Sequence, residues 1–261
     1  MRQQTAFQNN MDSDDNEPVL KPSDLLAHRR ANGKLPDFPI PRSVIFTPQK
    51  SLADYVLRRH PARQINGFLG EFYLLKRPNG RMALSTGFGI GAPGIAALAD
   101  EFAALGVKQF VLIGMAGGLQ PELKMGSLVI STSAIRGEGV SQHYLPVDTS
   151  VDASNELSHG VSDILTKHYQ SHTFGPTWTT DAPFRELRKI VLGYQRAGVL
   201  AVDMEAAALF SVAQSLDLSA VAAFSIADQL TEGHWKLSND LRPAQKGLTI
   251  LFEAVYEYLS L

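Results

Sequence analysis

The chain has 261 residues, and 24 Lys and Arg against 26 Asp and Glu leave a formal net charge of −2. That balance argues against broad binding to a phosphate backbone, which needs a basic face, so no nucleic-acid partner is expected. Cysteine is absent, which removes disulfide frameworks, thiolate metal sites and cysteine nucleophiles together.

Met1 to Pro18 is rich in Gln, Asn, Asp and Ser with few apolar anchors, a composition that predicts disorder. It lacks the basic-then-apolar layout of a signal peptide. No apolar run along the chain approaches the ~20 residues of a membrane span. A cytoplasmic protein without a membrane partner is the expectation. Ser23 to Asn32 predicts a short helix with Ser23 as N-cap. The proline-rich stretch Leu35 to Arg42 reads as extended. Residues 1–40 are therefore expected to form a flexible arm, and residues 41–261 a single domain.

From Ser43 onward, strand-like and helix-like segments alternate. Val44 to Phe46 predicts a short strand and Leu52 to Arg59 a helix. Gly67 to Lys76 and Arg81 to Thr86 flank Arg77-Pro78-Asn79-Gly80, the signature of a hairpin. Ile95 to Leu105 has helical spacing, with Gly106 as its stop. Val107 to Ile113 and Ser127 to Ile135 read as buried strands, and Asn155 to Tyr169 as a helix. Thr173 to Thr180 and Phe184 to Arg196 continue the alternation. Met204 to Ser215 predicts a helix, Ala220 to Ile226 a buried strand and Leu241 to Leu259 a terminal helix. Apolar strands between amphipathic helices predict a single-domain α/β fold with a mixed, mostly parallel central sheet flanked by helices.

Two glycine clusters stand out. Gly89-Ile90-Gly91-Ala92-Pro93-Gly94 sits between a strand and a helix, as a dinucleotide loop does. Nothing acidic lies between Glu101 and Glu122, so the carboxylate that would hold a ribose hydroxyl is missing. The glycines are better read as letting the helix start close to the sheet, which leaves open an anion or polar ligand at the helix N-terminus. Gly114-Met115-Ala116-Gly117-Gly118 follows a buried strand, where open α/β sheets gather ligands and small residues let a flat ring approach. His168 and His172 have i, i+4 spacing but lack the remaining ligands of a zinc site, so no metal is expected. His143, near Glu138, stays open between a subunit contact and a site residue.

Three stretches give the chain a family resemblance. The first runs from Ser85-Thr86-Gly87 to Gly139 and includes Gly114-Met115-Ala116-Gly117-Gly118-Leu119 and Gly126-Ser127-Leu128-Val129-Ile130. Its tail, Arg136-Gly137-Glu138-Gly139-Val140-Ser141-Gln142-His143-Tyr144, is similar to the uridine phosphorylase branch. The second is Trp178-Thr179-Thr180-Asp181-Ala182-Pro183-Phe184-Arg185-Glu186. The third is Ala201-Val202-Asp203-Met204-Glu205-Ala206-Ala207-Ala208 with Ser225-Ile226-Ala227-Asp228. Together they resemble the nucleoside phosphorylase superfamily of uridine phosphorylase, hexameric purine nucleoside phosphorylase and methylthioadenosine nucleosidase. The resemblance spans Val44 to Leu259.

It implies cleavage of the N-glycosidic bond of a small-molecule nucleoside by a homodimer or homohexamer, with no organic cofactor. By resemblance, Glu205 binds the ribose hydroxyls and Met204 packs on the sugar. A carboxylate offers acceptors to two neighbouring hydroxyls, and Asp203 would cap the helix that Met204 and Glu205 begin. Asp228 becomes the catalytic group that protonates or hydrogen-bonds the leaving base. Ala116, Gly117, Trp178 and Thr180 frame the base; read without the family, Trp178 is simply core. Asp228 tilts the substrate towards purines, and the Gln and Arg that recognise uracil have no clean equivalent in Phe184 to Arg188.

The phosphate ligands do not carry over. Leu112 and Met115 stand where the pattern has an arginine and a hydroxyl. Pro48 and Leu52 replace the glycine and arginine of an early turn, and Gly70 falls where a neighbouring subunit would lend an arginine. Each loss removes a charge or donor from a bound dianion; Lys50, Arg29 and Arg30 are the candidates to compensate, and nothing in the sequence places them there. Inorganic phosphate is thus a disfavoured co-substrate and hydrolysis the natural replacement. The nucleosidase arginine falls on Phe224, however, and its glutamate has no match. The alternative is a nucleoside-binding protein without turnover.

Overall fold

A computed structural model of the chain describes residues 17–76 and 82–261. Residues 1–16 of the segment expected to be disordered, and the turn at 77–80, lie outside them. In chain order the first half forms α1 (Pro22–Ala31), β1 (Ser43–Thr47), α2 (Lys50–Arg59), β2 (Ala62–Ile65), β3 (Glu71–Leu75), β4 (Met82–Thr86), α3 (Ala92–Leu105) and β5 (Gln109–Gly118). The second half forms β6 (Leu128–Gly137), α4 (Asn155–Lys167), β7 (His172–Thr180), α5 (Arg188–Arg196), β8 (Ala201–Asp203), α6 (Ala206–Ser215), β9 (Ser219–Thr231), β10 (His234–Leu237) and α7 (Arg242–Tyr258). Helix α1 starts one residue earlier than expected: Lys21, not Ser23, is its N-cap, and Pro22 takes the first helical position that suits it.

The ten strands of the described residues belong to one sheet, ordered β10-β9-β6-β7-β8-β5-β1-β4-β3-β2, and β9 also pairs with β5. The strands β5, β9, β6, β7 and β8 therefore close into a ring. This corrects the mostly parallel sheet read from the sequence: five strand pairings are parallel and five antiparallel. The reason is physical. Strands covered on both faces read as continuous apolar runs whichever way their neighbours point. Closure also needs local bends, and register shifts fall at Ala116/Gly117 on β5 and between Ser131 and Ala134 on β6.

Alternation along the central strands supplies two apolar layers. Val44 and Phe46 of β1, Phe110 and Leu112 of β5, and Ala222 and Phe224 of β9 join α3 and α6 in one core. Ile45, Val111, Ile113, Val221 and Ala223 face the other way, against α2, α4 and α7. The first core is aromatic: the Phe72 and Phe102 rings stack at 4.7 Å, and Phe46 lies 5.8 Å from Phe102. Helix α1 rests on its outside, with Leu26 buried and Arg29 paired to Glu101 of α3. Gly106 ends α3 in the left-handed region, φ 107°, as a glycine stop should. Among the described residues, no helix is long and apolar enough to cross a membrane.

Candidate functional site

The carboxyl ends of β1, β5, β8 and β9 open into a cavity of about 650 Å³. Its floor is Met115, Ala116 and Gly117 of β5, and its walls include Val202, Asp203, Met204, Glu205, Ala227 and Asp228. The second glycine cluster is thus strand, not the loop after a strand: β5 continues to Gly118 and pairs there with both β8 and β9. Gly117 stands opposite Val202 on one side and Asp228 on the other. A Cβ on Gly117 would lie 2.6 Å from the Leu230 side chain and 3.3 Å from Asp228 Oδ1. Only glycine lets the two walls close this tightly.

Glu205 and Asp203 enter the cavity side by side. The chain leaves β8 at Asp203, and Asp203 Oδ1 accepts the Glu205 and Ala206 N–H groups at 2.8 and 2.7 Å and the Thr179 hydroxyl at 3.1 Å. The Thr179 hydroxyl in turn accepts the Ala207 N–H at 2.9 Å. Asp203 therefore caps the helix as expected, but helix α6 begins at Ala206, and Glu205 is the residue before it. Glu205 Oε1 accepts the Gly91 N–H at 2.6 Å. Gly91, at φ 100°, is the N-cap of α3. The anion that the first glycine cluster faces is therefore this protein's own carboxylate, set where two helix starts meet.

Burial still dominates its ionisation. It pushes the Glu205 carboxyl up to about 7, with the Asp203 charge adding to it and the Gly91 N–H opposing. Burial also raises Asp203, to about 6, against the hydrogen bonds on Oδ1. Asp203 Oδ2 is buried with no hydrogen-bond partner.

The far end of the cavity holds a second acidic pair. Ala227 is an extra residue on β9 opposite the Ala116/Gly117 step, and such a bulge re-aims the side chains beyond it. Asp228 Oδ2 accepts the Trp235 indole N–H at 2.6 Å, across the β9–β10 hairpin. Glu186, on the loop between the 3-10 turn Pro183–Arg185 and α5, lines the same end. Burial first, and the nearby Asp228 charge second, push its carboxyl up to about 7. Phe184 and Trp235 stand at the mouth, 98% and 65% exposed.

Of the residues singled out from the sequence, Ala116, Gly117, Met204, Glu205 and Asp228 meet in this cavity. Trp178 and Thr180 do not line it. Trp178 is buried with Leu119, Val191 and Val202, its ring 5.0 Å from Tyr194, which is the core reading of a strand tryptophan. The Thr180 hydroxyl accepts the Ala182 N–H at 3.2 Å and shapes the turn after β7. Glu186 and Trp235 were missed. Glu186 lies in irregular chain at the end of the second resembling stretch, which gave it no role, and Trp235 in a short exposed edge strand, where its signal was an aromatic amid mostly polar residues.

The positions expected to bind phosphate are empty of cations. Leu112 is fully buried core, Met115 lines the cavity and Gly70 is pressed against the Thr86 carbonyl. Lys50 pairs with Asp54 and Arg29 with Glu101. Among the described residues, the cavity wall holds Glu186, Asp203, Glu205 and Asp228 and no Lys or Arg. His168 ends α4 and pairs with Glu257, while His172 opens β7 and meets Ser162, so the two do not share a helix face. No metal-binding cluster occurs among the described residues. A groove of about 720 Å³ on the opposite face, by Tyr55, His168 and Glu257, holds none of the base- or ribose-binding residues expected from the sequence.

Comparison with known proteins places this geometry. Residues 51–260 match the phosphorylase superfamily. A guanosine phosphorylase of Halorubrum lacusprofundi is 32% identical over 152 residues, 57% of this chain and 61% of that protein. A uridine phosphorylase of Haemophilus influenzae is 28% identical over 157 residues, 54% and 62% of the two chains. A DeoD-type purine nucleoside phosphorylase of Clostridium perfringens is 27% identical over 169 residues, 64% and 71%. The chain thus spans about three fifths of the length of the first two relatives. The crystal structure of uridine phosphorylase from Vibrio fischeri shares the fold, with a TM-score of 0.75 at 20% identity over 84% of this chain and 92% of that one.

Proposed function

The chain belongs to the phosphorylase superfamily, and from that premise we propose that it cleaves the N-glycosidic bond of a nucleoside, purine rather than uridine, by transfer to water instead of phosphate. The observation that carries the reading is the cavity itself: Glu205 and Met204, which follow β8, Asp228 of β9, and Ala116 and Gly117 of β5 line one space. Glu205 accepts the two neighbouring ribose hydroxyls. At the base, a carboxyl group of the Asp228–Glu186 pair donates a hydrogen bond as negative charge builds on the leaving nitrogen. The substrates named for the relatives, guanosine, uridine and purine nucleosides, frame the choice. The acidic wall supports water: a phosphate dianion would meet four carboxyl groups and no cation of this chain.

A second reading, nucleoside binding without turnover, is favoured by one observation. Phe224, where the nucleosidase pattern has an arginine, is fully buried core and cannot serve a water nucleophile. Incubation with purine and pyrimidine nucleosides, with mass spectrometry of the products, separates the two. Free base with free ribose supports the hydrolytic reading. Ribose 1-phosphate contradicts it, and a thermal shift without product establishes the binding protein.

A further inference from the structure

The two carboxyl groups at the base end of the cavity have different surroundings. Asp228 comes from β9 and holds the Trp235 indole N–H on Oδ2. An indole N–H only donates, so that oxygen is committed as an acceptor. Glu186 arrives from the loop before α5, half-buried, and no hydrogen bond or ion pair to a described residue engages its carboxyl. We propose that Glu186 is the carboxyl that delivers the proton to the leaving base, while Asp228, pinned by Trp235, is the acceptor member of the pair. This rests on the nucleoside-cleavage reading and adds a catalytic residue to it.

The charges around Glu186 support the division. Asp228 on β9 is the facing charge, and two carboxylates at one site resist ionising together. On its own segment Arg185 is exposed, and the Arg188 side chain lies against Gly233 at the β9–β10 turn. Lys236 on β10 is exposed, and neither arginine nor Lys236 pairs with Glu186. No cation therefore holds the Glu186 carboxyl ionised, and burial keeps its proton near neutrality. Asp228 Oδ2 is held by the indole, whereas no protein group among the described residues holds the Glu186 carboxyl, which is left to meet the base.

The step balances without any further reagent. The C1′–N bond breaks and its electron pair stays on the base. The Glu186 proton passes to a base nitrogen, so the base leaves neutral and Glu186 becomes a carboxylate. Water adds its oxygen to C1′ and gives up a proton, which restores the Glu186 carboxyl.

The test compares the wild type, Glu186→Gln and Asp228→Asn on two substrates. One is the best-cleaved nucleoside, whose base needs a proton to leave. The other is 4-nitrophenyl β-D-ribofuranoside, whose leaving group does not. For Glu186→Gln the expected result is a fall in kcat of about a hundredfold on the nucleoside, typical of a lost general acid. KM should hold, the nucleoside rate profile should lose whatever near-neutral inflection the aryl riboside profile does not share, since Glu205 acts on both substrates, and the loss on the aryl riboside should stay below about threefold. An equal loss on both substrates, or a wild-type rate and pH profile on the nucleoside, overturns the assignment of Glu186. A wild-type protein that cleaves neither substrate overturns the cleavage reading itself, and the proposal with it. The Glu186 carboxyl has no hydrogen-bond or ion-pair partner among the described residues, so the variant folds, and a melting temperature no lower than that of the wild type verifies that.

Discussion

Strands β5 and β9 run side by side, yet their two ends belong to different chemistry. From Phe110 to Ile113 and from Ala220 to Ile226 every side chain is buried and apolar but Ser225, and the strands are sealed under helices on both faces. Beyond the bulge at Ala116/Gly117 the same pair opens into a cavity that holds Asp228 and faces Glu205, Asp203 and Glu186. The inner half is organised for stability. The outer half keeps carboxyl groups away from water, an orphaned Asp203 oxygen, and aromatic rings in solvent. Orphaned polar atoms also occur elsewhere, at Ser85, Glu138 and Ser225, but raised acids, an orphaned carboxylate oxygen and exposed rings together in one cavity are what a functional site looks like physically.

That contrast can be broken from either end. The largest stability loss is expected from the core that covers the inner half, which Phe102 of α3 shares with Phe110 and Phe224. Phe102→Ala removes a fully buried ring stacked on Phe72 and should cost about 3–5 kcal/mol in denaturant unfolding, with the specific activity of the remaining folded protein unchanged. The outer half should respond the other way. Glu205→Gln should lower kcat/KM for nucleosides about a hundredfold, because a charged acceptor for two hydroxyls is lost. The same change should raise the melting temperature of the ligand-free protein at pH 8. Its carboxyl has a pKa near 7 in the folded chain against 4.5 for an ordinary Glu, so ionising it costs about 3 kcal/mol at most above neutrality.

The pH dependence has the same sign. Asp203, Glu205 and Glu186 are all raised by burial, so the folded protein keeps protons that the unfolded chain has released. Their contribution is fully present below about pH 4, shrinks as pH rises through 6 to 7, and is gone above. Thermal melts of the ligand-free protein from pH 5 to 8 should therefore fall, and the Glu205→Gln variant should fall less. A smaller effect is expected from Trp235→Phe, which removes the indole N–H from Asp228. It should cost about 1–2 kcal/mol in transition-state stabilisation and leave the melting temperature within a degree or two, because the ring is mostly exposed.

The inner half was the legible half. Its apolar strands and amphipathic helices announce themselves by period, and β1, β5, β6 and β9 are readable from the residues alone. What escaped is instructive. Strand β2 alternates weakly, β8 is only three residues long, and β10 is exposed along its whole length, so none of them carries a clear burial signal. Strand direction escaped because apolar runs do not encode it, which hid the closed ring. In the site, Glu205, Met204, Asp228, Ala116 and Gly117 were readable because they sit in spaced motifs on or beside regular elements. Glu186 and Trp235 come from a loop and an edge strand, where only the folded chain reveals the neighbour. Trp178 shows the converse: a motif residue whose place in the fold is packing.

The reaction proposed for the acidic cavity needs no phosphate. The initial rate of base release from a purine nucleoside, measured across a titration of inorganic phosphate from none upwards, tests it directly. A rate that is finite in phosphate-free buffer, flat through the titration and accompanied by free ribose is the predicted result. A rate that is zero without phosphate, saturates as phosphate is added and yields ribose 1-phosphate would contradict it.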